Sequence, residues 1–167
     1  MRQVDVKRTV NASSDRVWAA LADFGGVHRF HPGVESSPIL NAVPSGVGAK
    51  RACHFYGGGQ AIEEVVAVED GVSMTVDVLE GPLPAQDVTA VFTVAPLADD
   101  RSEVTITMDY RPKFGPLGAA LNAVAMRGKI TGLLDKVLEG LSDHLEHGVL
   151  IGPKGVPQGN EARAAVQ

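Results

Sequence analysis

Six short strand-like runs, each closed by a turn signal, are followed by one uninterrupted helical stretch, and this order constrains the fold more than any motif. The runs are Val34–Leu40, Ala49–Tyr56, Ala61–Val68, Ser73–Leu79, Asp87–Ala95 and Ser102–Arg111. Gly57-Gly58-Gly59, Glu69-Asp70-Gly71, Glu80–Pro84 and Asp99-Asp100 punctuate them. Short runs at regular spacing with turns between them predict an antiparallel meander. From Pro116 to His147 nothing breaks a helix, and Pro suits its first position. Ile130, Leu133, Leu134, Val137, Leu138, Leu141 and Leu145 form its apolar stripe. Gly148 fits the residue after its end.

Before the meander, Val4, Val6 and Val10 alternate with polar residues, which predicts a first strand; Arg8 falls on its apolar side. Ser13 offers an N-cap hydroxyl and Asp15 an anion in the first turn of a short helix carrying Val17, Trp18 and Leu21. Val27–Phe30 adds a second short helical turn before Pro32. A curved antiparallel sheet cannot close its own concave face, and the long helix is the one element able to cover it. The expected fold is therefore α+β: a curved seven-stranded antiparallel sheet wrapped around a long C-terminal helix, with two short helices after the first strand. Residues 1–151 form one domain in this reading. Residues 152–167, rich in Gly and Pro and without apolar periodicity, are expected to be a disordered tail.

Composition narrows the function classes. A net charge of −5 and a pI near 5.5 argue against nucleic acid and anionic membrane, which need a basic patch. Cys53 is the single cysteine, so no internal disulfide forms. No leader-like segment and no apolar run of membrane-spanning length are present, which gives a soluble, cytoplasmic expectation, as monomer or homodimer, without stable membrane insertion. There is no G-x-S-x-G, P-loop or dinucleotide fingerprint, so no cofactor is expected. His144 and His147 fall one turn apart, but two ligands do not make a zinc site, and no metal is expected.

Several stretches together resemble the START-like (SRPBCC) superfamily, with its helix-grip fold, and within it the bacterial polyketide cyclase/dehydrase-type branch. They are Val10–Trp18, Phe24–Val34 with His31-Pro32-Gly33-Val34, Gly48-Ala49-Lys50-Arg51, Glu63 followed by Glu69-Asp70, Glu80–Pro84, and Gly115–Gly118. The resemblance spans about Met1 to Leu145. It implies an internal cavity for a lipid-, aromatic- or polyketide-like molecule. By position, Gly57-Gly58-Gly59 matches the gate loop of plant hormone receptors of this superfamily, Glu80–Pro84 their latch loop and Glu63 a cavity glutamate. The gate here is shorter and lacks their Ser-Gly-Leu-Pro-Ala pattern.

Three readings of function stand beside one another: a binding protein for a small hydrophobic molecule, a polyketide cyclase/dehydrase-type enzyme, and an interaction or stress-response module that retains no ligand. The candidate proton-moving groups are Glu63, Tyr110 and His31. Alternation puts one of Glu63 and Glu64 inside, without saying which. Arg51 shares a strand face with Cys53 and Phe55; it either reaches Glu63 or a ligand, or snorkels to the rim. Met74, Val76, Phe92, Met108 and Tyr110 occupy inward-facing positions. The small residues Ala119 and Ala123, with Met126 and Ile130, leave room along the helix and complete the expected binding wall. His28 and His31 lie near the cavity entrance, while His54 points away from Cys53.

Overall fold

The computed structural model describes residues 1–113 and 119–158, with side chains from 124 onward in the last helix. The chain runs β1 (Arg2–Val10), α1 (Ser14–Ala22), a 3₁₀ segment (Phe24–Arg29), β2 (Val34–Ser36), β3 (Lys50–Phe55), β4 (Gln60–Glu69), β5 (Ser73–Glu80), β6 (Ala85–Ala98), β7 (Arg101–Pro112) and α2 (Ala119–His147). Seven strands make one antiparallel sheet in the order β1-β7-β6-β5-β4-β3-β2. The first strand closes against the last, and every other pair follows sequence order, as a meander must.

Local chemistry sets the element ends. The Ser13 hydroxyl accepts from the Arg16 amide at 3.3 Å and caps α1. At the far end of α2 the Gly148 amide donates to the His144 carbonyl at 3.0 Å, with Gly148 at φ 65°. Arg16 reaches across to the Leu145 carbonyl at 2.7 Å, so α1 satisfies a carbonyl that the end of α2 leaves open. In β1, Val4, Val6 and Val10 are buried, while Arg8 is half-buried.

Two expectations change. β2 ends at Ser36, because Pro38 cannot donate to a ladder; the chain still follows β3 through an Ile39–Arg51 bridge. The tail expected to be disordered from residue 152 instead continues as a small hairpin, with β8 (Leu150–Ile151) paired to β9 (Pro157–Gln158). Ile151 is only 2% exposed and anchors it, and Gly155 at φ 76° makes the turn. Its glycines and prolines thus act as turn residues. Residues 159–167, also assigned to that tail, and the helix start expected at Pro116 lie outside the described residues.

α2 packs chiefly against β1, with β7 beside it, while α1 and the 3₁₀ segment lie over another part of the sheet. The space left between these two supports becomes the cavity.

Candidate functional site

A cavity of about 500 Å³ lies under α2, within the usual range for small-molecule sites. Most of its wall is apolar, with Phe30, Val34, Val76, Phe92, Met108 and Leu134 among the lining side chains. The Glu80–Leu83 segment, Asp87 and Lys113 also border it.

Its polar groups converge from two strands and one turn. Register pairs Arg51 with Glu63 and Lys50 with Glu64 across β3 and β4. Alternation then sends one ion pair inward and the other outward. The outer pair, Lys50–Glu64, is 3.4 Å apart with both side chains substantially exposed. Inside, Arg51 Nε and Nη2 donate to the same oxygen, Glu63 Oε2, at 2.7 and 2.6 Å. Arg51 Nη1 donates to the Phe24 carbonyl at 2.8 Å, and the guanidinium lies 3.9 Å from the Phe24 ring centroid. Arg51 is 6% exposed, so it does not snorkel to the rim. The Cys53 thiol donates to Glu63 Oε2 at 3.6 Å. Burial, reinforced by the Glu63 charge, pushes that thiol up to about 12, so at neutral pH it is a weak donor and no nucleophile.

His31 reaches the cavity from the turn after the 3₁₀ segment. Its amide donates to the Val27 carbonyl at 2.9 Å, and its Nδ1 accepts from the Gly33 amide at 3.0 Å. Burial lowers the ring from 6.5 to about 4; Glu63 opposes that shift and Arg51 adds to it. His31 is therefore neutral at pH 7. Because Nδ1 is an acceptor, the ring proton sits on Nε2.

The shift carries a stability consequence. As pH falls, the unfolded chain protonates His31 near 6.5, whereas the folded chain resists until about 4. The contribution is complete above the unfolded value and is lost as pH drops through this window, to the extent of about 3 kcal/mol. Urea denaturation at pH 7 and pH 4 should show the loss in the parent. His31→Phe should lose about 3 kcal/mol less over the same interval, and equal losses would refute the assignment.

The sequence-derived candidates divide by location. Arg51, Phe55, Glu63, Val76, Phe92, Met108 and His31 lie on the cavity wall. Met74 does not; it faces a small recess with Ala20, Leu21 and Val27, because α1 and the 3₁₀ segment plug that end. Tyr110, Met126 and Ile130 are buried, but off the wall. Tyr110 stands opposite Arg2 of β1 in the region where α2 packs down, so the cavity is displaced toward β3–β6. The side chains of Ala119 and Ala123 lie outside the described residues. On the helix side, Leu133, Leu134 and Val137 line the space; they were legible as part of the apolar stripe, but not as cavity wall.

The remaining singled-out groups have other roles. His28 Nδ1 sits 2.8 Å from Ser37 Oγ and 3.1 Å from the Gly25 carbonyl, tying the 3₁₀ segment to the chain after β2. His144 Nδ1 lies 2.7 Å from the Val149 carbonyl. Gly57–Gly59 forms a tight turn off the wall, whereas Glu80–Leu83 borders the cavity. Among the described residues no three potential ligands gather as a metal site, and no helix is long and apolar enough to cross a membrane.

Three solved structures illustrate the likeness. A START superfamily protein from Mycobacterium smegmatis superposes with TM-score 0.66 at 20% identity, covering 86% of this chain and 98% of its own. Norcoclaurine synthase from Thalictrum flavum gives TM-score 0.66 at 20% identity, with 87% of each chain covered. The di-domain ARO/CYC BexL from the BE-7585A biosynthetic pathway gives 0.71 at 14% identity; 87% of this chain covers 47% of that one, about half its length. At such identities these neighbours speak for the fold, the helix grip of the START superfamily. No curated protein was matched. The model of one family, described as polyketide cyclase / dehydrase and lipid transport, matches residues 1–146. With nearly all of the described fold inside that match, the chain belongs to the polyketide cyclase / dehydrase and lipid transport family.

Proposed function

We propose that this protein binds a small, mostly apolar molecule in its internal cavity. The observation that carries the reading is a space of about 500 Å³ with a largely apolar wall and polar groups confined to a few positions. Burial at about 25 cal/mol per Å² is ample for micromolar affinity after the costs of association. Norcoclaurine synthase, which shares the fold, was solved with dopamine and hydroxybenzaldehyde, molecules small enough for such a space. The module reading, with no retained ligand, anticipates a cavity filled by side chains, and the open volume counts against it.

Native mass spectrometry of the purified protein, followed by organic extraction, tests the proposal. A stoichiometric apolar ligand is expected in the parent. Ala90→Phe, which projects a ring from β6 into the space, should lose that ligand while keeping its far-ultraviolet circular dichroism. An empty parent with no thermal shift across lipids, aromatics and polyketide mimics would overturn it.

The second reading is a cyclase- or dehydrase-type enzyme. It draws on one feature, a neutral histidine beside a carboxylate at a largely apolar cavity, which is the equipment of general acid–base catalysis. Full turnover by Glu63→Gln on any substrate so identified would remove Glu63 from that role.

A further inference from the structure

The polar cluster has two atoms to spare, and they are of opposite kinds. Glu63 Oε2 takes both Arg51 contacts and the Cys53 thiol. No protein donor reaches Oε1 among the described residues, yet no buried side-chain oxygen or nitrogen there lacks a partner. Oε1 is therefore an acceptor with accessible surface on a cavity-lining residue. The same reasoning applies to His31. Its Nδ1 is occupied by the Gly33 amide, and Nε2 carries the proton with no protein acceptor among the described residues.

Charge narrows the partner further. Arg51 and Glu63 neutralise each other, and the His31 ring and the Cys53 thiol are uncharged at pH 7. Three of the five Arg51 N–H groups go to Glu63 and Phe24, its face covers the Phe24 ring, and its charge is already matched by Glu63, so an anion there would compete with Glu63 for the guanidinium. At this cluster an ionised headgroup would bring a charge that none of these four groups is free to match.

We propose that the bound molecule presents an un-ionised hydroxyl, alcoholic or phenolic, that donates to Glu63 Oε1 and accepts from His31 Nε2–H. A hydroxyl does both with one atom, as a ketone, an ether or a carboxylate cannot. This assignment rests on the cavity-binding reading and specifies its ligand class.

The test holds the apolar part of the probe constant and varies the headgroup. The probes are 2-naphthol, 2-methoxynaphthalene, 2-methylnaphthalene and 2-naphthoate, titrated at pH 7 and followed by isothermal calorimetry. The expected order puts 2-naphthol first, roughly tenfold or more tighter than the ether and the hydrocarbon, since a hydrogen bond to a charged group is the strong kind. 2-Naphthoate should bind most weakly. His31→Phe and Glu63→Gln should each collapse the naphthol advantage while still binding 2-methylnaphthalene, which shows that the cavity persists. Equal binding of naphthol and methylnaphthalene by the parent would sink the hydroxyl assignment and leave the binding reading standing. Preferential binding of naphthoate would also overturn it, with Arg51 as the anchor. Binding of none of the four would overturn the hydroxyl assignment, while the cavity-binding reading is decided separately by the native mass spectrometry and the wider ligand panel.

Discussion

Gly140→Ala should lower the unfolding free energy by about 3 kcal/mol, at the upper end of ordinary overpacking. A Cβ built on Gly140 falls far inside contact distance of the Phe30 carbonyl oxygen, with Ile151 Cγ1 at 3.5 Å on its other side. The obstacle is backbone on a buried turn, not the end of a flexible side chain, so relief requires α2 and the Phe30 turn to part. For a chain of this size that loss corresponds to a melting temperature lower by roughly 10 °C. The same helix supplies the control. Gly128 and Gly132 are exposed, and nothing lies within 4 Å of a Cβ at either. Alanine there should stabilise by about 0.5–1 kcal/mol through helix propensity and a restricted unfolded chain. One substitution on one helix thus changes sign with position. If all three variants melted alike, the close approach of α2 to Phe30 would be wrong. Because His31 follows Phe30 directly, Gly140→Ala should also weaken whatever His31 holds.

That glycine shows where sequence reasoning stops. Its neighbours Leu138 and Leu141 announced a buried stripe, and period and turn chemistry carried the meander, the Ser13 cap and the Gly148 end almost to the residue. None of this says that a carbonyl from residue 30 will press on the helix at 140, since the two are brought together only by tertiary packing. The site divides in the same way. The inward choice between Glu63 and Glu64 was in fact written in the chain. The hairpin is centred on Gly57, so Arg51 faces Glu63 and Lys50 faces Glu64, and the partner sharing Arg51's face is Glu63. The strand face with Cys53 was readable by the same alternation. What could not be read was how far α2 fills the space. The stripe of small residues at its start drew attention to that end, whereas the described cavity lies against Leu133, Leu134 and Val137. Tyr110 and Ile130 satisfied the alternation and helical patterns for inward residues, but inward-facing does not distinguish solid core from cavity wall.

The larger effect belongs to the Arg51–Glu63 pair. Arg51→Met should cost about 3–5 kcal/mol, and Glu63→Leu a similar amount, because each leaves a charge without its partner in a largely apolar setting. The side chains are 7% and 18% exposed, which puts Glu63→Leu at the upper part of that range, since it strands the more buried guanidinium with the Phe24 carbonyl alone. The double variant Arg51→Met, Glu63→Leu should recover most of the loss, as replacing a buried pair by apolar groups of similar volume is often neutral. A double-mutant cycle by urea denaturation measures this as a coupling of several kcal/mol; additive losses would mean that the two groups do not stabilise one another. The informative protein is the double variant. If it folds as well as the parent, the pair is not there for stability, since an apolar core does as well. It should then hold 2-methylnaphthalene at least as tightly as the parent and show no preference for 2-naphthol. A double variant that stays folded and keeps that preference would place hydroxyl recognition elsewhere in the cavity. One that fails to refold would make the pair a structural necessity.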